Sequence, residues 1–465
     1  MSKILRIDIV LILAFEGFLT SFALLSSASM SEILPLVIFS SICTAATIRY
    51  YMRRRVGVTY FFLWLMIVYL IGFVRLKYWD YFSPDVLSAN LLWLTAFVLS
   101  FVFFYEMIPC HSVNPRLERI MDSLNEIYGS FRFLLGVFLV YILFYAFEIV
   151  ESGGAVHFVG MSYAERHDPS SSYLFFIKTL LKSSLLISAY TNFIERRSKL
   201  VPILILILIF LLSTVEGSTG ALIGLLVPIV VFFVLDRLKN RKLLQLNWIV
   251  FAAVILLAVV VSYTAVVRIK RSGSDELSSL VYGRTFDALE NSIRITETYE
   301  PGEHLGLNII VYPAVNFVPR SLWPEKPIGL GRRIMFDIYG APSYTSVSFA
   351  PGLLGEFYAD FGYFGILVFG SLFGLILKRI DYGILRSLNA GRVGSCFLLL
   401  SLALLSSNIP NSPQGYLLRL IITGIFQIIF TLILARIIGC FKLTNKKHGL
   451  GSKSKKEKTM LLKER

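Results

Sequence analysis

Apolar runs of roughly 17 to 25 residues, the length needed to cross a hydrocarbon core, recur along this chain with short polar connectors between them. They fall at 8–28, 32–50, 57–74, 86–108, 133–150, 172–194, 200–214, 221–236, 248–266, 358–377, 393–409 and 417–440, and predict an all-α polytopic membrane fold of twelve spans. The first run follows Lys3 and Arg6 as a signal peptide would, but its length reads as a retained span. Two polar intervals interrupt the pattern. One runs from Glu151 to Ser172, between the fifth and sixth spans, and the other from Val267 to Gly352, between the ninth and tenth. Residues 1–440 therefore read as one membrane domain and 441–465 as a basic tail.

The long interval has its own pattern. Phe286, Leu289 and Ile293 recur at helical spacing with charges between them, which predicts an amphipathic helix over Arg284 to Glu300, on or near the bilayer and ended by Pro301-Gly302. Residues 305–318 are apolar but too short to span and carry Pro313, which predicts a re-entrant or interfacial segment lining a cavity. Pro324 and Pro327 stiffen the next turn, and Gly329-Leu330-Gly331 permits close backbone approach before Arg332-Arg333. In the shorter interval, Ser162 to Arg166 reads as a short helix closed by Asp168-Pro169, holding Arg166 at the membrane surface. Lys178 and Lys182 then share a face of the sixth span, either lining an anion cavity or snorkelling outward. Glu16, inside the first span, reads either as facing a wet cavity or as a snorkelling acid without function.

Charge orients the chain. Arg53-Arg54-Arg55 follow the second span, Arg116, Arg119 and Arg132 the fourth, Arg196, Arg197 and Lys199 the sixth, Arg237 to Lys242 the eighth, and Lys378, Arg379, Arg386 and Arg392 the tenth. Cationic connectors stay in the cytoplasm, so both termini are expected there and both polar intervals outside. The chain of 465 residues is 56% hydrophobic, 16% charged and carries a net charge of +15, which by itself would admit nucleic acid as a partner. The distribution removes that reading. Between Val267 and Ala350 nine cations face nine acids, so the excess is topological. The tail reads as disordered or as touching anionic membrane lipids, at roughly 1 kcal/mol per cation. Cys43 and Cys396 lie in spans, and Cys110 and Cys440 at the inner face, so no structural disulfide is expected. No His or Cys spacing suits a metal, and no cofactor is implied.

Outward-facing arginines beside a membrane suit a polyanionic headgroup, because guanidinium binds phosphate oxygens bidentately and keeps its charge. Arg166, Arg284, Arg320, Arg332 and Arg333, with Lys182, are the candidate ligands of a pyrophosphate-linked lipid. A plain ion pair with nearby Asp337 stands as the other reading for Arg332 and Arg333.

The long outer loop, the block Pro319-Arg320-Ser321-Leu322-Trp323-Pro324-Glu325-Lys326-Pro327 and the Pro351-Gly352, Gly355-Glu356 and Phe361-Gly362 pairs resemble the Wzy-type polysaccharide polymerases, which include O-antigen and enterobacterial common antigen polymerases. Arg320 and Gly331 match the family's arginine, ten residues, then glycine; Arg166 has Ile177 at the matching place, and the hairpin Ser218-Thr219-Gly220 lacks the arginine many members carry. The resemblance implies a glycosyltransferase of the bacterial cytoplasmic (inner) membrane. It would join undecaprenyl-pyrophosphate-linked repeat units outside the membrane, in O-antigen, capsule or exopolysaccharide synthesis, beside a chain-length regulator and a flippase. In that reading Arg320, Arg284 and Arg166 stabilise the leaving pyrophosphate. Glu356 is the general base, with Asp360 or His304 as substitutes, and a capping Glu356 is the competing reading. The rivals are an O-antigen ligase, which His304 followed by Leu305-Gly306 fits poorly, and a flippase or transporter, for which internal repeats are missing.

Overall fold

The structure, a computed structural model, describes residues 30–79, 82–109, 115–151, 172–195, 199–215, 287–303, 306–315, 322–340 and 350–440, with isolated positions 17, 20, 21, 153 and 318. Those residues are helical with no strand among them. In chain order the helices are α1 (Met30–Met52), α2 (Val56–Trp79), α3 (Pro84–Met107), α4 (Pro115–Gly129), α5 (Phe131–Glu151), α6 (Ser172–Glu195) and α7 (Leu200–Val215). They continue as α8 (Ala288–Thr298), α9 (Tyr312–Val315), α10 (Leu330–Asp337), α11 (Leu353–Asn389), α12 (Val393–Leu404), α13 (Pro413–Leu420) and α14 (Gln427–Ile437). Nine predicted spans fall on described residues and are helical there; those at 8–28, 221–236 and 248–266 lie outside, apart from the isolated positions.

Among the described residues, six helices are long and apolar enough to cross a membrane: Ser31–Met52, Val56–Leu76, Pro84–Met107, Phe131–Glu151, Leu353–Asn389 and Pro413–Ile437. Leu200–Leu212 and Val393–Asn408 are shorter apolar helices. Their outward faces explain the composition. On α5, Leu135, Leu139, Leu143 and Phe147 recur every four residues and are 42 to 61% exposed, where a helix in water would carry polar side chains. The chain is a membrane-embedded helical protein.

One group of helices forms around α11, which packs on α3, while α1 packs on α2 and α3. A second surrounds α6, which packs on α4, α5, α7 and α14, and α12 touches both groups. Close packing of α11 on α3 depends on small residues. A β-carbon at Gly370 would stand 2.8 Å from Phe97 O, and one at Gly374 2.5 Å from Phe101 O. Between them Ser371 Oγ meets Ser100 Oγ at 2.8 Å. This is how helices associate where lipid is as apolar as leucine.

The amphipathic helix predicted within 284–300 exists as α8, and its apolar face is packed against other helices of the protein. Leu289, Ile293 and Ile295 are fully buried, and the helix packs on α2 and α11. Its acids decide this: Arg75 of α2 pairs with Asp287 and, at 3.4 Å, with Glu290, which also pairs with Arg294. Burying that polar side against a partnered arginine avoids an unpaired charge. The connector after the third described helix is likewise a helix, α4, whose Leu124, Ile127 and Tyr128 pack inward.

Candidate functional site

The site is built at the start of α11. Gly352, its N-cap, has φ +75°, and a β-carbon there would sit 2.1 Å from both Ala288 O and Ser292 Oγ, so no other residue fits. Gly352 N–H donates to Asn411 O (2.9 Å) and Leu353 N–H to Pro410 O (3.1 Å), while Tyr69 Oη also donates to Pro410 O (3.1 Å). The helix start is thereby tied to the turn before α13. Two turns later Gly362 (φ 64°, ψ −160°) breaks the helix, and the freed Tyr358 carbonyl accepts from Gly302 N–H at 2.9 Å. The remaining helix, from 363 to 389, rises about 40 Å and could span by itself.

This short first segment carries two carboxylates four residues apart, Glu356 and Asp360, both 0% exposed. Each caps the start of another helix. Glu356 Oε1 accepts from Ser412 Oγ (2.7 Å) and Oε2 from Gln414 N–H (2.7 Å), at the first turn of α13. Ser412 in turn accepts from Gly415 N–H (3.0 Å), the expected N-cap bond ahead of Pro413. Asp360 accepts from Asn308 Nδ2 (2.7 Å), Asn308 N–H (3.1 Å) and Ile309 N–H (2.7 Å). It thus caps the π-helical turn Leu307–Val311 that leads into α9. Buried carboxylates here are stabilised by orphan backbone donors. Asp360 has three donor groups on its two oxygens, whereas Glu356 retains one free lone pair on each.

Above them stands α10. Its N-cap, Gly329, touches the Gln414 side chain: a β-carbon would lie 3.1 Å from Gln414 Oε1, 3.2 Å from Nε2 and 3.3 Å from Tyr312 Cζ. One turn on come Arg332 and Arg333. Arg333 lies within electrostatic reach of Asp360 and Tyr299, and Arg332 Nε is buried without a hydrogen-bond partner. Asp337 Oδ2 accepts from Tyr299 Oη at 2.7 Å, and burial, reinforced by Asp337, holds that phenol above its ordinary range. Leu330 and Ile334 of α10 pack with Tyr358 and Ala359 of α11, so α10 and the start of α11 come together with Arg333 within reach of Asp360.

Other expected residues do not join them. Arg166, Arg284, Arg320 and His304 lie outside the described residues, as do Glu16 and the 162–168 and 214–220 turns save the helical Thr214 and Val215. Lys182 belongs to α6, among the second group of helices, and is not among the residues that bond Glu356 or Asp360. Lys178 pairs with Glu148 Oε2 at 2.6 Å and lies over the Tyr145 ring. The sequence reading missed Ser412, Gln414, Asn308 and Tyr69. A signal for two of them was present, since Asn411-Ser412-Pro413-Gln414 is a polar N-cap signature between two apolar runs. Comparison of the chain with protein-family models, curated proteins and solved structures finds no match in any of the three, so the reading of this site rests on its own geometry.

Proposed function

We propose that the protein is a glycosyltransferase that polymerises undecaprenyl-pyrophosphate-linked oligosaccharide repeat units on the outer face of a bacterial cytoplasmic membrane. One observation carries the reading. A continuous run of contacts links a buried carboxylate to a paired-arginine helix: Glu356 to Gln414 N–H at 2.7 Å, Gln414 to Gly329, and Gly329 to the turn bearing Arg332 and Arg333. Carboxylate and guanidinium at one end of a lipid-embedded bundle are what transfer from a lipid pyrophosphate requires.

The roles follow from the chemistry. An acceptor sugar hydroxyl gives its proton to Glu356, and its oxygen attacks the anomeric carbon of the donor glycan. The anomeric C–O bond to phosphate breaks, and its electron pair leaves with undecaprenyl pyrophosphate. Arg332 and Arg333, together with Arg320, Arg284 and Arg166, stabilise that charge. Asp360, already bonded by Asn308 and Ile309, positions the π-helical turn and is the poorer base.

The test is a gel of surface and lipid-linked glycans from a strain lacking the protein. A single repeat unit on its acceptor with the ladder gone is the expected result. Bare acceptor with long lipid-linked glycan would instead make the protein the ligase, and bare acceptor with repeat units held inside the cell a flippase. Arg320→Ala should abolish the ladder and Arg320→Lys should restore little of it; full restoration by lysine would exclude a bidentate role.

A further inference from the structure

Gln414 is 6% exposed, and its Nε2 is buried with no hydrogen-bond partner. Three residues earlier, in the turn before α13, Asn411 Oδ1 is also buried and unpartnered. Leaving buried polar atoms unpaired costs roughly 1–3 kcal/mol each, and here a donor and an acceptor in that state stand three residues apart at one helix start. The wall beside the Gln414 amide is bare. Gly329 has φ −66°, a conformation any residue adopts, so the backbone does not demand glycine there. A β-carbon there would fit closely, 3.1 to 3.3 Å from the Gln414 amide and the Tyr312 ring, and would press the amide aside by a few tenths of an ångström.

We propose that Gln414 Nε2 and Asn411 Oδ1 form a subsite that reads hydroxyl groups on the saccharide of the lipid-linked substrate, with Gly329 keeping the wall beside the amide free of a side chain. The proposal rests on the reading of the site given above and deepens it. The mixed pair selects the ligand chemistry. A phosphate diester or pyrophosphate oxygen only accepts at neutral pH and cannot satisfy Asn411 Oδ1, whereas a sugar hydroxyl both donates and accepts. Phosphate falls to Arg332 and Arg333, one turn further along α10. Gln414 is 6% exposed, so entry of the sugar requires the non-helical stretch 326–329 to move away from α13.

The experiment measures lipid affinity of the full-length protein in nanodiscs. Two probes are used: the lipid-linked oligosaccharide extracted from cells lacking the protein, and undecaprenyl pyrophosphate alone. Wild type should bind the glycosylated lipid about tenfold more tightly, the value of one or two net hydrogen bonds. Gln414→Met keeps the volume and the backbone bond to Glu356, and should narrow that gap to about twofold without changing the affinity for undecaprenyl pyrophosphate. Gly329→Ala fills the same space from the other side and should narrow it too, which guards against misfolding in either variant. A gap that survives both substitutions overturns the subsite alone, as does equal weakening of both lipids. Failure of wild type to bind either lipid overturns the lipid-linked reading together with the subsite.

Discussion

The two ends of α11 use buried acids in the same way and differ in what they leave over. At the far end Asp381, 1% exposed, caps α2: Gly57 N–H (2.6 Å), Val58 N–H (3.1 Å) and Tyr105 Oη (3.1 Å) all donate to it. Lys378 on the same helix donates to Ile108 O and Glu106 O, closing the C-terminus of α3 as a cation should. Glu106 meanwhile pairs with Arg49 and Arg53, and Arg386 and Arg392 pair with Glu118 and Asp122 of α4. Arg55, whose Nη1 lacks a hydrogen-bond partner, stacks over the Tyr382 ring at 5.6 Å. Almost every charge there is spent on holding helices. At the loop end Asp360 has three donor groups as Asp381 does, Glu356 has two, and Gln414 Nε2, Asn411 Oδ1 and Arg332 Nε remain unspent. The far end also leaves Arg55 Nη1 and Tyr50 Oη buried without hydrogen-bond partners, so the ends differ in kind: among the described residues, only the loop end holds an unpartnered carboxamide donor and acceptor beside its capped acid.

Substitutions can break this contrast, and the largest effects should be structural. Gly352→Val places a branched side chain against Ala288 O at a positive φ; a loss of about 3 kcal/mol or more is expected, read as a collapse of thermal unfolding temperature in detergent. Asp381→Ala strands two backbone donors and a phenol and should cost about 2–4 kcal/mol. At matched abundance in the membrane, its specific activity should be unaltered. Glu356→Gln preserves shape and can keep one of the two caps. It should cost about 1 kcal/mol in an unfolding scan, yet lower polymerisation by about a hundredfold or more. Gln414→Met should lie at the small end, within about 0.5 kcal/mol of wild type or above it, because it removes an unpaired buried donor.

How far the sequence could be read follows the physics. The apolar helices on described residues were legible because lipid enforces apolar length, which a window along the chain detects, and six of them are long enough to span. The helix at 288–298 was legible from its period, but its burial was not: that depends on Arg75, an arginine at the end of an apolar run some two hundred residues away. Glu356 was legible as a carboxylate at a span's start, whereas its engagement by Ser412 and Gln414 required knowing that α11 and α13 begin side by side. The break at Gly362 was hidden by the apolar residues on both sides of it, and only the backbone shows it. Arg332 could be placed near Asp337 by spacing, but Asp337 is bonded by Tyr299, which comes from a different helix end.

The most direct measurement is the glycan ladder of a deletion strain complemented with either Glu356→Gln or Asp381→Asn, with both proteins brought to equal membrane levels. The account predicts single repeat units on the acceptor with Glu356→Gln and a full ladder with Asp381→Asn. A full ladder with Glu356→Gln, or equal loss with both, would mean that the loop end of α11 holds helices and does nothing more.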